Sequence, residues 1–113
     1  MNDETLIMNL IVDAGNARSY AMEAMRLARE GNPDEAEVFL QNAGAEMAKA
    51  HKTQTDLIQN EAKGGHTEMN LFMVHAQDHI MSAILAKDIA KEIVELYRKI
   101  NEPPPSRDSL VRR

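Results

Sequence analysis

Two interruptions, Gly31-Asn32-Pro33 and Lys63-Gly64-Gly65, divide this sequence into three long stretches, and within each the apolar residues recur at helical spacing. In the first stretch Leu6, Leu10, Ala14, Ala17, Ala21, Ala24 and Ala28 keep to one face. A helix that starts near Asp3 to Thr5, either of which can cap it, and stops at Gly31 accounts for them. Its alanines, with Gly15, permit close approach of a neighbouring helix. Asp13, Asn16, Arg18 and Ser19 break the pattern and are expected to be partly solvated, or paired with one another at helical spacing.

Asn32 caps a second helix, and Pro33 occupies its first turn, where a missing N–H is no loss. Asp34, Glu35 and Glu37 suit the positive end of that helix. Its expected inward stripe is Ala36, Phe39, Leu40, Ala43, Met47, Ala50, Gln54, Leu57 and Ile58. His66 falls in the following connection and is expected to be exposed. Thr67 is read as the cap of a third helix running to about Asn101, which Pro103-Pro104-Pro105 terminates. Three helices of nearly thirty residues would each be roughly 40–45 Å long. Short connections make neighbours antiparallel, so the expected fold is all-α, an up-down-up three-helix bundle. Residues 1–102 form the helical domain, and 103–113, polar and basic at the end, are expected to be a disordered tail.

Composition excludes several function classes. With no cysteine, disulfides and thiolate chemistry are ruled out. The net charge of −5 makes nucleic acid or an anionic membrane a poor partner. Met1-Asn2-Asp3-Glu4 lacks the positive start of a signal peptide. No segment approaches the roughly 20 apolar residues of a membrane span, so no membrane insertion is expected. The expectation is a soluble, cytoplasmic protein.

The centre of the third helix departs from plain packing. Leu71 to Val74 and Ile80 to Ala86 are almost continuously apolar, yet His75, Gln77, Asp78 and His79 lie between them. A helix that is apolar all round is normally buried all round, and polar groups inside it need partners. His75, Asp78 and His79 stand at i, i+3 and i+4 and share a face, whereas Gln77 points roughly the other way. Three helices cannot hide all of this apolar surface, so the chain is expected to self-associate.

His75 can act as a nucleophile, because imidazole is largely unprotonated near neutral pH and can accept and release a phosphoryl group. The competing reading is a core or interface histidine satisfied by a hydrogen bond. Asp78 could orient His75, hold a hard cation, or be solvated; its apolar surroundings argue against the last. If copies of the helix met, several Asp78 side chains would converge and would need protons or a cation to offset their repulsion. His75 and His79 could together hold zinc, but Ala76 follows His75, so the His-Glu-x-x-His motif is absent, and no third histidine or cysteine is near in sequence. His51 reads as a helix-surface residue. No glycine-rich phosphate loop is present.

The segment Val74-His75-Ala76-Gln77-Asp78-His79-x-Met81 closely resembles the active-site segment of the lactose/cellobiose-type enzyme IIA proteins of the bacterial sugar phosphotransferase system (PTS). Gly15-Asn16-Ala17-Arg18-Ser19 resembles a first-helix segment of that family, and Ala50-His51-x-x-Gln54-Thr55-x-Leu57-Ile58 a second-helix segment. The resemblance runs in order from about residue 4 to 100 and implies a phosphocarrier. His75 matches the histidine phosphorylated on Nε2 by the small phosphocarrier protein HPr. The acceptor it implies is a cysteine of enzyme IIB, which phosphorylates a β-linked disaccharide of lactose, cellobiose or chitobiose type during import through the membrane component IIC. Asp78 matches a carboxylate that gathers with its symmetry mates around a metal ion, usually magnesium, on the axis of a homotrimer of nine helices. Gln77 matches a motif glutamine near the active site and is assigned a supporting role. His79 lies within the motif but is not taken as a second phosphorylation site.

Other readings predict different behaviour. A non-enzymatic metal-binding bundle using His75, Asp78 and His79 would bind a transition metal tightly and transfer nothing. A two-component histidine phosphotransfer module usually has a Lys-Gly pair a turn after its histidine, where this chain has Asp78 and His79. A plain structural trimer would tolerate loss of His75.

Overall fold

The computed structural model describes residues 3–103. It consists of three helices in the order α1 (Asp3–Arg29), α2 (Pro33–Ala62) and α3 (Leu71–Ile100), and the described residues contain no strand. The helices run up, down and up, so α1 and α3 are parallel and α2 is antiparallel to both. The expected tail lies outside the described residues apart from Pro103.

The helix ends follow from local chemistry. Gly31 and Gly64 have positive φ, 88° and 95°, which side chains rarely tolerate. Each reverses the chain in the same way. Gly31 N–H donates to the Ala28 carbonyl and Asn32 N–H to the Leu27 carbonyl; Gly64 and Gly65 donate to Glu61 and Asn60. These paired bonds satisfy carbonyls that the ending helices would otherwise orphan.

Two capping expectations change. Asn32 precedes α2 with Pro33 in the first turn, but its side chain makes no capping bond. The start of α2 is instead tied to the end of α3, where Arg98 donates to the Pro33 carbonyl and pairs with Asp34 at 3.3 Å. At α3 the cap is Asn70, not Thr67: Asn70 Oδ1 accepts from Met73 N–H at 2.9 Å. The helix therefore starts at Leu71, and Thr67 is buried in the connection.

The core runs along the bundle in three layers. The layer beside the polar turn of α3 carries the bulk, with Leu10, Met47, Met73 and Ile80 packed around Ala14 and Ala76. The middle layer is Ala21, Ala43 and Ala90, small enough for the helices to approach closely. Ala24, Ala28, Ala36 and Val94 belong to the third. Leu10, Met73 and Ile80 are fully buried and interlock, which fixes the rotation of α3 about its axis.

That rotation leaves one face of α3 uncovered. Leu71, Val74, Asp78, Met81 and Leu85 alternate by three and four residues, as in a coiled-coil seam. Within this chain the apolar members are 84, 49, 58 and 61 % exposed. The helix is thus buried on one side only, in line with the expectation that three helices cannot hide all of its apolar surface.

Candidate functional site

Because Met73, Ala76, Ile80 and Ala83 turn into the core, the residues between them are distributed around the rest of α3. His75 is exposed on the side of the helix away from that core. Asp78 is also exposed and sits within the apolar seam, so in one chain it is a solvated carboxylate. This differs from the sequence expectation, which judged a solvated Asp78 unfavourable, because the apolar residues around it are themselves uncovered.

His79 is half-buried and stands one turn above His75. The two imidazole rings stack, with centroids 5.2 Å apart and planes inclined by 29°. The His79 ring also lies close to α1 at Gly15: a methyl group placed on Gly15 would stand 3.6 Å from His79 Nε2. Gly15, Arg18 and Ser19 of α1 continue from there into an open groove of about 850 Å³ between α1 and α3, with Met22, His79 and Ile93 also on its walls. Asn16, Arg18 and Ser19 are exposed and Asp13 is half-buried, so all four are at least partly solvated, as expected.

Gln77 turns to the opposite side. Its Oε1 accepts from Gln54 Nε2 at 2.8 Å across the α2–α3 contact, and its own amide lies 3.5 Å from Met73 Sδ. It therefore braces α3 against α2 and faces away from the His75 side. His51 and His66 are exposed on other parts of the surface.

The arrangement suits transient covalent chemistry. A nucleophilic imidazole stands in the open on a helix whose opposite face is locked into a close-packed core. Its neighbour His79 constrains the ring from one side. Among the described residues no three His, Asp or Glu side chains gather closely enough to hold a metal ion, so one chain does not form the metal site of the competing bundle reading. No described helix is long and apolar enough to cross a membrane. Sequence reasoning missed two contacts, Gln54–Gln77 and Gly15–His79. Their signal was present in the quoted segments, since each contact joins residues of two of those blocks.

Comparison with known proteins agrees with this fold. The family described as the PTS system lactose/cellobiose-specific IIA subunit matches residues 5–98. The lichenan-specific phosphotransferase enzyme IIA component of Bacillus subtilis is 55 % identical over 104 residues, covering 90 % of this chain and 94 % of that protein. The cellobiose-specific enzyme IIA of Bacillus anthracis superposes with a TM-score of 0.84 at 44 % identity, covering 88 % of this chain and 93 % of that one. The chitobiose IIA of Escherichia coli, solved in complex with HPr, gives a TM-score of 0.78 at 33 % identity, over 90 % of this chain and 99 % of that one. This chain belongs to the lactose/cellobiose-specific IIA family and is a component of the phosphotransferase system.

Proposed function

We propose that this chain is a phosphocarrier that takes a phosphoryl group from phospho-HPr onto Nε2 of His75 and passes it to a cysteine of its cognate enzyme IIB. IIB then phosphorylates a β-linked disaccharide of lactose, cellobiose or chitobiose type as it enters through IIC. The observation that carries this reading is the exposed His75 on a helix locked into the core, within the residues 5–98 that the family matches. The structure of the similar chitobiose IIA with HPr supports the choice of donor.

The lone pair of His75 Nε2 attacks phosphorus as the nitrogen–phosphorus bond to the HPr histidine breaks. The thiolate of IIB then attacks the same phosphorus, and the His75 nitrogen leaves. Such transfers depend on alignment and charge stabilisation more than on bond-making groups. This chain has no cysteine, so the accepting sulfur must come from the partner. Gln77 supports the site at a distance by holding α3 to α2 through Gln54. On this reading the protein works in the cytoplasm.

The exposed seam from Leu71 to Leu85 suits packing against the same helix of two further copies, forming a homotrimer. Asp78 lies within it, so three carboxylates would converge on the axis. Carboxylate oxygen is the right donor for magnesium, and three Asp78 side chains would hold one ion per trimer. When bound, the ion offsets the repulsion among them.

The carrier reading is tested by a chase. Isolated phosphoprotein mixed with IIB should lose its phosphate as IIB gains one. Unphosphorylated HPr should slow that exchange, because both partners need His75. Phosphate that stays on this chain in the presence of IIB, or simultaneous tight binding of both partners at one site, would overturn the proposal.

A further inference from the structure

Gly15 lies inside α1, where glycine weakens a helix relative to alanine. Its φ is not positive, unlike those of Gly31 and Gly64, so its backbone does not require glycine. Gly44, the other glycine within a helix, has nothing within 4 Å of an added Cβ. At Gly15 the space is used: a Cβ there would lie 3.6 Å from His79 Nε2 and 3.9 Å from His79 Cδ2. His79 also has the His75 ring as a neighbour, stacked with centroids 5.2 Å apart.

We propose that Gly15 is a positioning residue for His75, acting through the ring of His79; this rests on the phosphocarrier reading above. The three residues form a sequence of contacts from α1 to the reacting imidazole. Burial of Ala76 and Ile80 holds the α3 backbone, so the His79 ring can respond to pressure from Gly15 only by rotating its own side chain. The open groove that His79 lines gives the ring room to swing away from His75, and that movement ends the stack. A methyl at position 15 is at ordinary van der Waals distance. A β-branched side chain reaches one bond further and displaces the ring. His75 without its stacked neighbour samples more orientations, and fewer of them align Nε2 with an incoming phosphoryl group.

The test is the rate of phosphoryl transfer from phospho-HPr to the full chain, read as a maximal rate and a half-saturating HPr concentration. His79→Ala and Gly15→Val should each lower the maximal rate about tenfold, with half-saturation unchanged. Gly15→Ala should lose less than Gly15→Val. His79→Phe, which keeps a flat ring without its nitrogens, should recover most of the loss seen in His79→Ala. The double variant Gly15→Val/His79→Ala should be no slower than the slower single variant, because both break one chain of contacts.

The inference is overturned by additive losses, by His79→Phe as slow as His79→Ala, or by a change confined to half-saturation. If Gly15→Val loses helicity by circular dichroism, Gly15→Ala decides in its place, and a rate equal to wild type overturns the role of Gly15. A wild-type chain that takes no phosphate overturns the phosphocarrier reading and this one together. A labelled wild type with variants equally fast overturns the roles of Gly15 and His79 and leaves the phosphocarrier reading standing.

Discussion

Replacing Asp78 by leucine should strengthen self-association and make it independent of divalent cations. Asp78 is the polar member of a seam whose neighbours Val74, Met81 and Leu85 are each about half exposed or more in the single chain. Full burial of a leucine side chain contributes about 1.5–3 kcal/mol. Three copies per trimer give roughly 5–9 kcal/mol as an upper bound, before counting the repulsion removed with three carboxylates. At the low end this is more than three decades in the trimer equilibrium constant. Because half-dissociation of a trimer depends on concentration squared, the midpoint should fall roughly thirtyfold at that low end. Light scattering across a dilution series, with and without EDTA, reads this directly. Wild type should dissociate more readily in chelator, and Asp78→Leu should stay trimeric in both buffers. A monomeric Asp78→Leu protein, at concentrations where wild type is trimeric, would refute the convergence of these side chains.

Three further outcomes follow from the fold. Asn70→Ala removes the one side-chain cap of α3 and should cost about 0.5–2 kcal/mol in urea denaturation; an unchanged midpoint would mean the bond to Met73 contributes nothing. Ile80→Ala empties a fully buried position in the layer behind His75 and should cost about 2–5 kcal/mol, and a loss well below that range would contradict the close packing. Asp13 has its pKa raised by burial first and by the nearby Glu46 second, with Lys49 acting the other way. A carboxyl raised in the folded state weakens the fold where it is ionised, and the penalty disappears as pH falls through the raised value. Asp13→Asn should therefore raise the melting temperature near neutral pH, with the gain shrinking in acid; an equal gain at both would exclude this cause.

The sequence was most legible where a backbone requirement has a single chemical solution. Gly31 and Gly64 mark helix ends because the left-handed turn there favours glycine, and both ends were placed correctly. The start of α3 was less legible because Thr67 and Asn70 are both competent caps. Thr67 packs into the connection, and Asn70 makes the bond. The apolar pattern of α3 was read correctly as more than one chain can bury, but spacing alone could not say which face is left out. That choice is made by Leu10, Met73 and Ile80 interlocking, and it places His75 and Asp78 outside. Gln54 and Gln77, like Gly15 and His79, were visible as residues, but their pairing across helices depends on the register of the bundle. Helical period along one strand of sequence carries no information about that register.

The central claim is that His75 carries the phosphoryl group. The most direct measurement is the intact mass of wild type and His75→Gln after incubation with phosphoenolpyruvate, enzyme I and HPr. The account predicts one acid-labile phosphate on wild type and none on His75→Gln. Equal labelling of both proteins, or of neither, would contradict it.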